Sequence, residues 1–195
     1  MAYLFQTLVK TGKIPSTAGQ AYREWFRARA QQITRVDSNK LIEKNRAYTL
    51  KNLKVQDIGR MIMFQYDAKT KDTLPYWDKF PLVFPISYYN DGFLGINLHY
   101  LPIMYRAKLM DQLYTTATNE KFDSTTKLSV SYEILNGASR FRLFKPCIKR
   151  YLTTHIKSRF LFIPSDEWDL ALVIPSARWQ KAKSSTVWRD SLLNM

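Results

Sequence analysis

The chain has 195 residues, 46% of them hydrophobic and 14% aromatic, and a formal net charge of +14. A domain of this size and apolar content can bury a core, so wholesale disorder is excluded, and the charge selects polyanionic partners, nucleic acid before an anionic membrane or an acidic protein. The one cysteine, Cys147, rules out an intramolecular disulfide and a cysteine-based zinc site, and no apolar run approaches the length of a membrane span or the pattern of a signal peptide.

The charge is unevenly placed. Residues 1–60 carry a net +8, residues 61–135 a net −1 and residues 136–195 a net +7. A neutral, apolar middle between basic flanks reads as a scaffold with a working surface at both ends. The expected organisation is a basic, mainly helical extension over 1–58, an α+β core over 59–175 and a basic tail over 176–195.

In chain order, residues 3–10 suit a short helix, broken at Gly12 and Pro15. Ser16 or Thr17 then caps a helix running to about Ile33. Ala18, Tyr22, Trp25, Phe26 and Ile33 share its apolar face, and Arg23, Arg27 and Arg29 point mostly elsewhere. Residues 34–58 are polar and weakly periodic. The middle reads as β: 60–66, 81–87 and 92–100 are strand-like, Pro81 and Pro85 force an edge or irregular strand, and Asp91-Gly92 signals a hairpin. Pro102 opens a helix over 103–116, on which Ile103, Ala107, Met110 and Leu113 recur at helical spacing. Residues 118–127 read as connection and 128–135 as a helix capped by Gly137. Pro146 opens another predicted helix, burying Ile148, Tyr151, Leu152, His155 and Ile156. Strands are predicted at 159–163 and 170–174. The fold class is α+β: a small antiparallel sheet, open or barrel-like, with helices at both ends.

Enzyme chemistry finds little support. His99 and His155 stand apart from any cysteine or carboxylate at ligand spacing, so each reads as a core or rim residue. Asp67-Ala68-Lys69 imitates a nuclease motif, but no second carboxylate falls on an adjacent strand. Phosphate-cradling and dinucleotide glycine motifs are absent. No metal and no cofactor is expected.

The basic clusters are the stronger signal. Arg23, Arg27 and Arg29 lie in the first. Arg140, Arg142, Lys145, Lys149, Arg150, Lys157 and Arg159 form the second, and Arg178, Lys181, Lys183 and Arg189 follow toward the C-terminus. Two separated clusters around a neutral core favour a nucleic-acid partner over a merely solvated face, bound mainly through phosphates and without sequence preference. Trp25, Phe26, Trp179 and Trp188 stand beside these charges, where exposed bases would stack; core packing is the competing use, above all for Trp25 and Phe26. The loop KTKDTLPYWDKF at 69–80 has lysines and aspartates that nearly cancel. It reads as a plug folded over the sheet by Pro75, Tyr76, Trp77 and Phe80, or as a protein contact, rather than as a phosphate binder.

The strings GRMIMFQYDAKTKDTLPYWDKFPLVFPI, GFLGINLHYLP, RAKLMDQL, KPCIKRYL and SRFLFIPSDEWDLALVIP resemble the DNA end protector family of T-even-type tailed bacteriophages, over roughly residues 59 to 190. The resemblance implies a minor, non-enzymatic virion protein at the ends of a linear double-stranded genome. It would shield them from host exonuclease after injection and take part in completing the head. The implied partners are double-stranded DNA ends and other virion proteins (portal, neck or tail), with no membrane and no small-molecule substrate. The implied locations are the virion and the host cytoplasm, during assembly and after injection. A structural connector of the neck, tail or baseplate is the alternative.

Overall fold

The computed structural model describes residues 4–11, 49–50, 53, 57–173 and 176–194. The predicted helix at 16–33, with Arg23, Arg27 and Arg29, lies outside the described residues. Helix α1 (Leu4–Thr11) and the two-residue strand β1 (Thr49–Leu50) precede the main body. Then come β2 (Met61–Met63), β3 (Trp77–Asp78), β4 (Leu82–Tyr89), β5 (Gly92–Asn97), α2 (Ile103–Ala117) and α3 (Ser124–Arg140). Strands β6 (Ile148–Leu152) and β7 (Phe160–Ile163), helix α4 (Trp168–Val173), strand β8 (Trp179–Gln180) and helix α5 (Ser184–Leu193) complete the chain.

The α+β expectation is borne out. The main sheet is antiparallel, in the order β1-β7-β2-β4-β5-β6, and β3 pairs with β8 in a second, two-stranded sheet. The main sheet is open, not a barrel, but it curls. Beyond β2 the chain leaves β4 and bonds to the β6–β7 connection instead: Lys157 N donates to Gln65 O, and Asp67 N to His155 O.

Alternation along the strands divides the core in two. Met61, Met63, Leu82, Phe84, Ile96, Leu161 and Ile163 face the helices, where they meet Leu109 and Met110 of α2, Leu135 of α3, Trp168 and Leu172 of α4 and Val187 of α5. The opposite face carries Ile62, Phe64, Tyr66, Val83, Phe93, Tyr151 and Phe160. There Phe64 meets Tyr151 and Phe160 edge-on, at centroid distances of 5.1 and 5.2 Å. With both faces buried, the central strands read as continuous apolar runs.

Three expected elements differ. Residues 146–156 are not a helix but a 3-10 turn, strand β6 and a second 3-10 turn. Apolar residues three and four apart fit either reading in so short a run. The sheet decides: all of β6 pairs with β5, from Gly92↔Leu152 to Ile96↔Ile148. Gly92 permits this approach, since a Cβ there would lie 1.9 Å from Tyr151 O. Residues 170–174 do not form a strand; α4 covers 168–173 and buries Trp168, Ala171 and Leu172 at helical spacing. Gly137 does not cap its helix either, because α3 continues to Arg140. Pro85 does mark an irregularity, a register shift between Pro85 and Ser87, but on an interior strand. It sits past the last β2–β4 pair, Ile62↔Val83, where no ladder donor is needed.

Candidate nucleic-acid interface

The segment from 67 to 78 folds over the aromatic face of the sheet. Tight turns shape it: Lys71 N bonds to Ala68 O, and Leu74 N to Thr70 O. Leu74 and Trp77 pack on the aromatic cluster. Lys181 fastens the turn from outside. Its ammonium donates to the carbonyl oxygens of Lys71, Asp72 and Leu74 at 2.7, 3.2 and 3.2 Å, from a left-handed backbone with φ +66°. Lys71 is also matched by Asp67 at 3.2 Å. The loop is the plug its composition suggests, with most of its charge spent locally.

Behind the loop lies a buried polar trio. Asp78 Oδ2 is 2.5 Å from His99 Nδ1, and Ser176 Oγ is 2.7 Å from His99 Nε2. The other Asp78 oxygen accepts from Phe80 N and Arg178 N, both at 3.0 Å. Burial would raise the Asp78 carboxyl, but His99 and the two backbone donors hold it below the usual carboxylate range. Burial pulls the imidazole down against the attraction of Asp78. The consistent arrangement is an ionised Asp78 receiving Nδ1–H from a neutral His99 whose Nε2 accepts the Ser176 hydroxyl. A Ser–His–Asp connectivity invites comparison with a hydrolase, but the serine and histidine are each 1% exposed, so no substrate reaches the hydroxyl. The trio fastens Ser176–Arg178 to β3 and the end of β5. Trp188 Nε1, donating to His99 O at 2.8 Å, fastens α5 to the same point.

Between the loop and β6 opens a cavity of about 420 Å³, walled by Leu74, Pro75, Tyr76, Trp77, Tyr100 and Tyr151, with Lys69 and Lys149 among its lining. Lys149 stands on the same face of β6 as Tyr151. Its ammonium sits 4.1 Å over the Tyr100 ring, and burial holds it below the ordinary lysine value. It has no carboxylate partner among the described residues. Trp77 Nε1 is buried without an acceptor among the described residues. A smaller hollow of about 250 Å³ adjoins, sharing Tyr76, Tyr100 and Lys149 and adding Lys145 and Asn194.

The structure thus brings Lys145 and Lys149 together and scatters the other expected contacts. Arg140 ends α3, and Arg142 opens the following 3-10 turn. Arg150 is ion-paired with Asp91 and stacked 3.8 Å over Tyr89. Lys157 Nζ lies 3.4 Å from Thr154 O, and Arg159 immediately precedes β7. Arg178 binds Asp78 through its backbone N, Lys181 is the loop fastener, Lys183 precedes α5, and Arg189 lies 3.7 Å from Asp190. Of the cations from Arg140 to Arg159, Arg150 alone has a carboxylate partner among the described residues. Trp179 meets Tyr100 edge-on at 4.8 Å and donates to Ser184 Oγ, so it packs rather than projects. Cys147 is buried, and its thiol is pushed up to about 12. Among the described residues no group of three or more His, Cys, Asp or Glu could hold a metal, and no helix is long and apolar enough to cross a membrane.

Sequence reasoning missed the pairing of Asp78 with His99 and the place of Tyr100 and Lys69 in the cavity lining. Asp78 and His99 are distant in sequence and meet only through the turn at β3. A hint lay in Tyr76 and Trp77, amphipathic rings in a polar loop.

One comparison identifies a relationship. The family model described as the phage T4 terminal DNA protecting protein matches residues 20–191, and the chain belongs to that family. The resemblance first visible over residues 59 to 190 thus extends toward the N-terminus. No curated protein and no solved structure matches the chain.

Proposed function

We propose that this member of the phage T4 terminal DNA protecting protein family binds the ends of linear double-stranded DNA without sequence preference and shields them from exonuclease. The observation that carries this reading is the pair Lys145 and Lys149, which have no carboxylate partner among the described residues and lie beside the aromatic-walled cavity. Uncompensated positive charge selects phosphates, and aromatic walls suit exposed bases, which duplex DNA offers only at its ends. The chain acts as a structural protein of the virion rather than by catalysis. In that place it would also take part in completing the head.

The test compares a short blunt duplex with a covalently closed circle of the same sequence across a salt series. Affinity should favour the linear form and fall about a thousandfold between 50 and 200 mM salt when several phosphates are neutralised. Failure to bind any duplex at low salt would sink the reading. Equal affinity for both forms would remove the end preference. For head completion, adding the purified chain to heads that lack it should restore tail joining; unrestored heads would remove that part.

A connector role among virion proteins has its own support. Phe141, between Arg140 and Arg142, and Leu193 are 65% and 75% exposed, and such side chains suit a protein neighbour. Replacing both by serine should weaken incorporation into particles while leaving duplex binding unchanged; unchanged incorporation would count against it.

A further inference from the structure

We infer that the cavity between the 69–77 loop and β6 receives the terminal nucleotide of a DNA strand, unpaired from its complement, with its base against Tyr76, Trp77 and Tyr100 and its phosphate on the Lys149 ammonium. The inference rests on the end-binding reading above and names the place where the end is held.

Its volume of about 420 Å³ lies within the small-ligand range of about 300–1,000 Å³. That is room for one nucleotide and not for a duplex. The walls are aromatic, as stacking requires. The charge also fits. Lys149 is half-buried with no counter-ion among the described residues, and Lys69 is exposed on the turn beside it. The one acid in the lining, Asp78, is already occupied by His99 and two backbone donors. A partly desolvated ammonium without a counter-charge is costly to keep in an apolar wall, and an incoming phosphate removes that cost. Lys145 in the adjoining hollow continues the positive track for the next phosphate along the strand.

The pocket demands that the last base pair open, so the energy of that step should appear in binding. The probe is a hairpin duplex with one open end, prepared with the final pair either matched or mismatched. The mismatched end should bind about 3- to 40-fold more tightly, because the protein no longer supplies the terminal stacking and pairing energy. A 2-aminopurine at the terminal position should be quenched on binding, and one placed ten pairs inward should not. Placing it at the 5′ or the 3′ end tells which strand enters. Lys149→Met and Tyr76→Ala should each lower the preference for linear over circular DNA by about 5- to 100-fold. Lys149→Arg should restore it, and Lys127→Met, which removes one charge from the helical side of the sheet, should leave it intact. Melting curves of the variants identify any loss due to unfolding, and the wild-type arms do not depend on any variant folding. Equal affinity for matched and mismatched ends, equal quenching at both positions, or an intact linear preference in folded Lys149→Met would each overturn the pocket while leaving end binding standing. Loss of the linear preference in the wild-type protein would instead overturn the end-binding reading itself.

Discussion

Two polar groupings meet at β3, one residue apart, and they are built oppositely. Around Asp78 every partner is in place: His99 and, through it, Ser176 in the interior, and two backbone donors nearer the surface. Around Trp77 the partners are missing: its indole N–H has no acceptor and the nearby Lys149 no counter-ion among the described residues. A satisfied buried network rigidifies a fold, whereas a half-satisfied one costs stability. The first grouping therefore reads as structure and the second as a place for a ligand. The lesson is that buried polarity by itself separates neither; completeness does.

The contrast breaks most visibly at Asp78. Asp78→Ala leaves His99 and two backbone N–H groups without their acceptor. With about 1–3 kcal/mol for each buried donor left unsatisfied, it should cost about 3–5 kcal/mol in all, lowering the melting temperature by on the order of 10 °C. A drop of less than a couple of degrees would mean that the trio is not a fastener. Ser176→Ala removes only the donor to His99 Nε2 and should cost about 1–3 kcal/mol with no change in DNA binding. Ester hydrolysis present in the wild type and lost in this variant would revive the hydrolase comparison.

The trio also predicts a pH dependence. His99 is held neutral by burial, so its folded pKa lies below the unfolded value of about 6.5. Between those two values the unfolded chain binds more protons, and stability falls as the pH drops below about 6.5. Asp78, held low, loses its share as the pH falls below the unfolded carboxylate value of about 3.9. Urea denaturation from pH 7.5 downward checks both, and the part between pH 6.5 and 4.5 should shrink in His99→Gln.

The incomplete grouping predicts the opposite sign. Lys149→Met should stabilise the DNA-free protein by about 1 kcal/mol, or roughly 2–4 °C, while weakening end binding. Stability traded for function is expected of a ligand site; a destabilised variant would place Lys149 in the framework instead. Gly137→Ala sets the scale for a change with neither role. A Cβ there meets nothing within 4 Å, so about 0.5–1 kcal/mol of stabilisation with unaltered DNA binding is expected.

Much of this was legible in the residues, for physical reasons. Apolar, strand-like runs found β2, β4, β5 and β7, whose two faces are both buried, and helical spacing of apolar residues found α2. Asp91-Gly92 found the hairpin, and the loop at 69–80 showed itself as a plug through its cancelling charges and its proline and rings. Strand β6 and helix α4 were hidden because short apolar runs fit both periods and only their neighbours decide. The trio and the cavity were hidden for a different cause. Asp78, His99 and Ser176, like Lys149 and Tyr76, are joined by tertiary folding alone, and no spacing along the chain records it. The basic clusters announced a polyanion, but not that Lys181 would be spent on loop carbonyls and Arg150 on Asp91.

The central claim is that the chain guards DNA ends, and the most direct measurement is the rate at which a double-strand-specific exonuclease degrades an end-labelled linear duplex with the protein in excess. Digestion should be strongly slowed at both ends at low salt, and protection should fade as salt rises. Digestion at the unprotected rate, under conditions where the protein is bound to the same duplex, would contradict the claim.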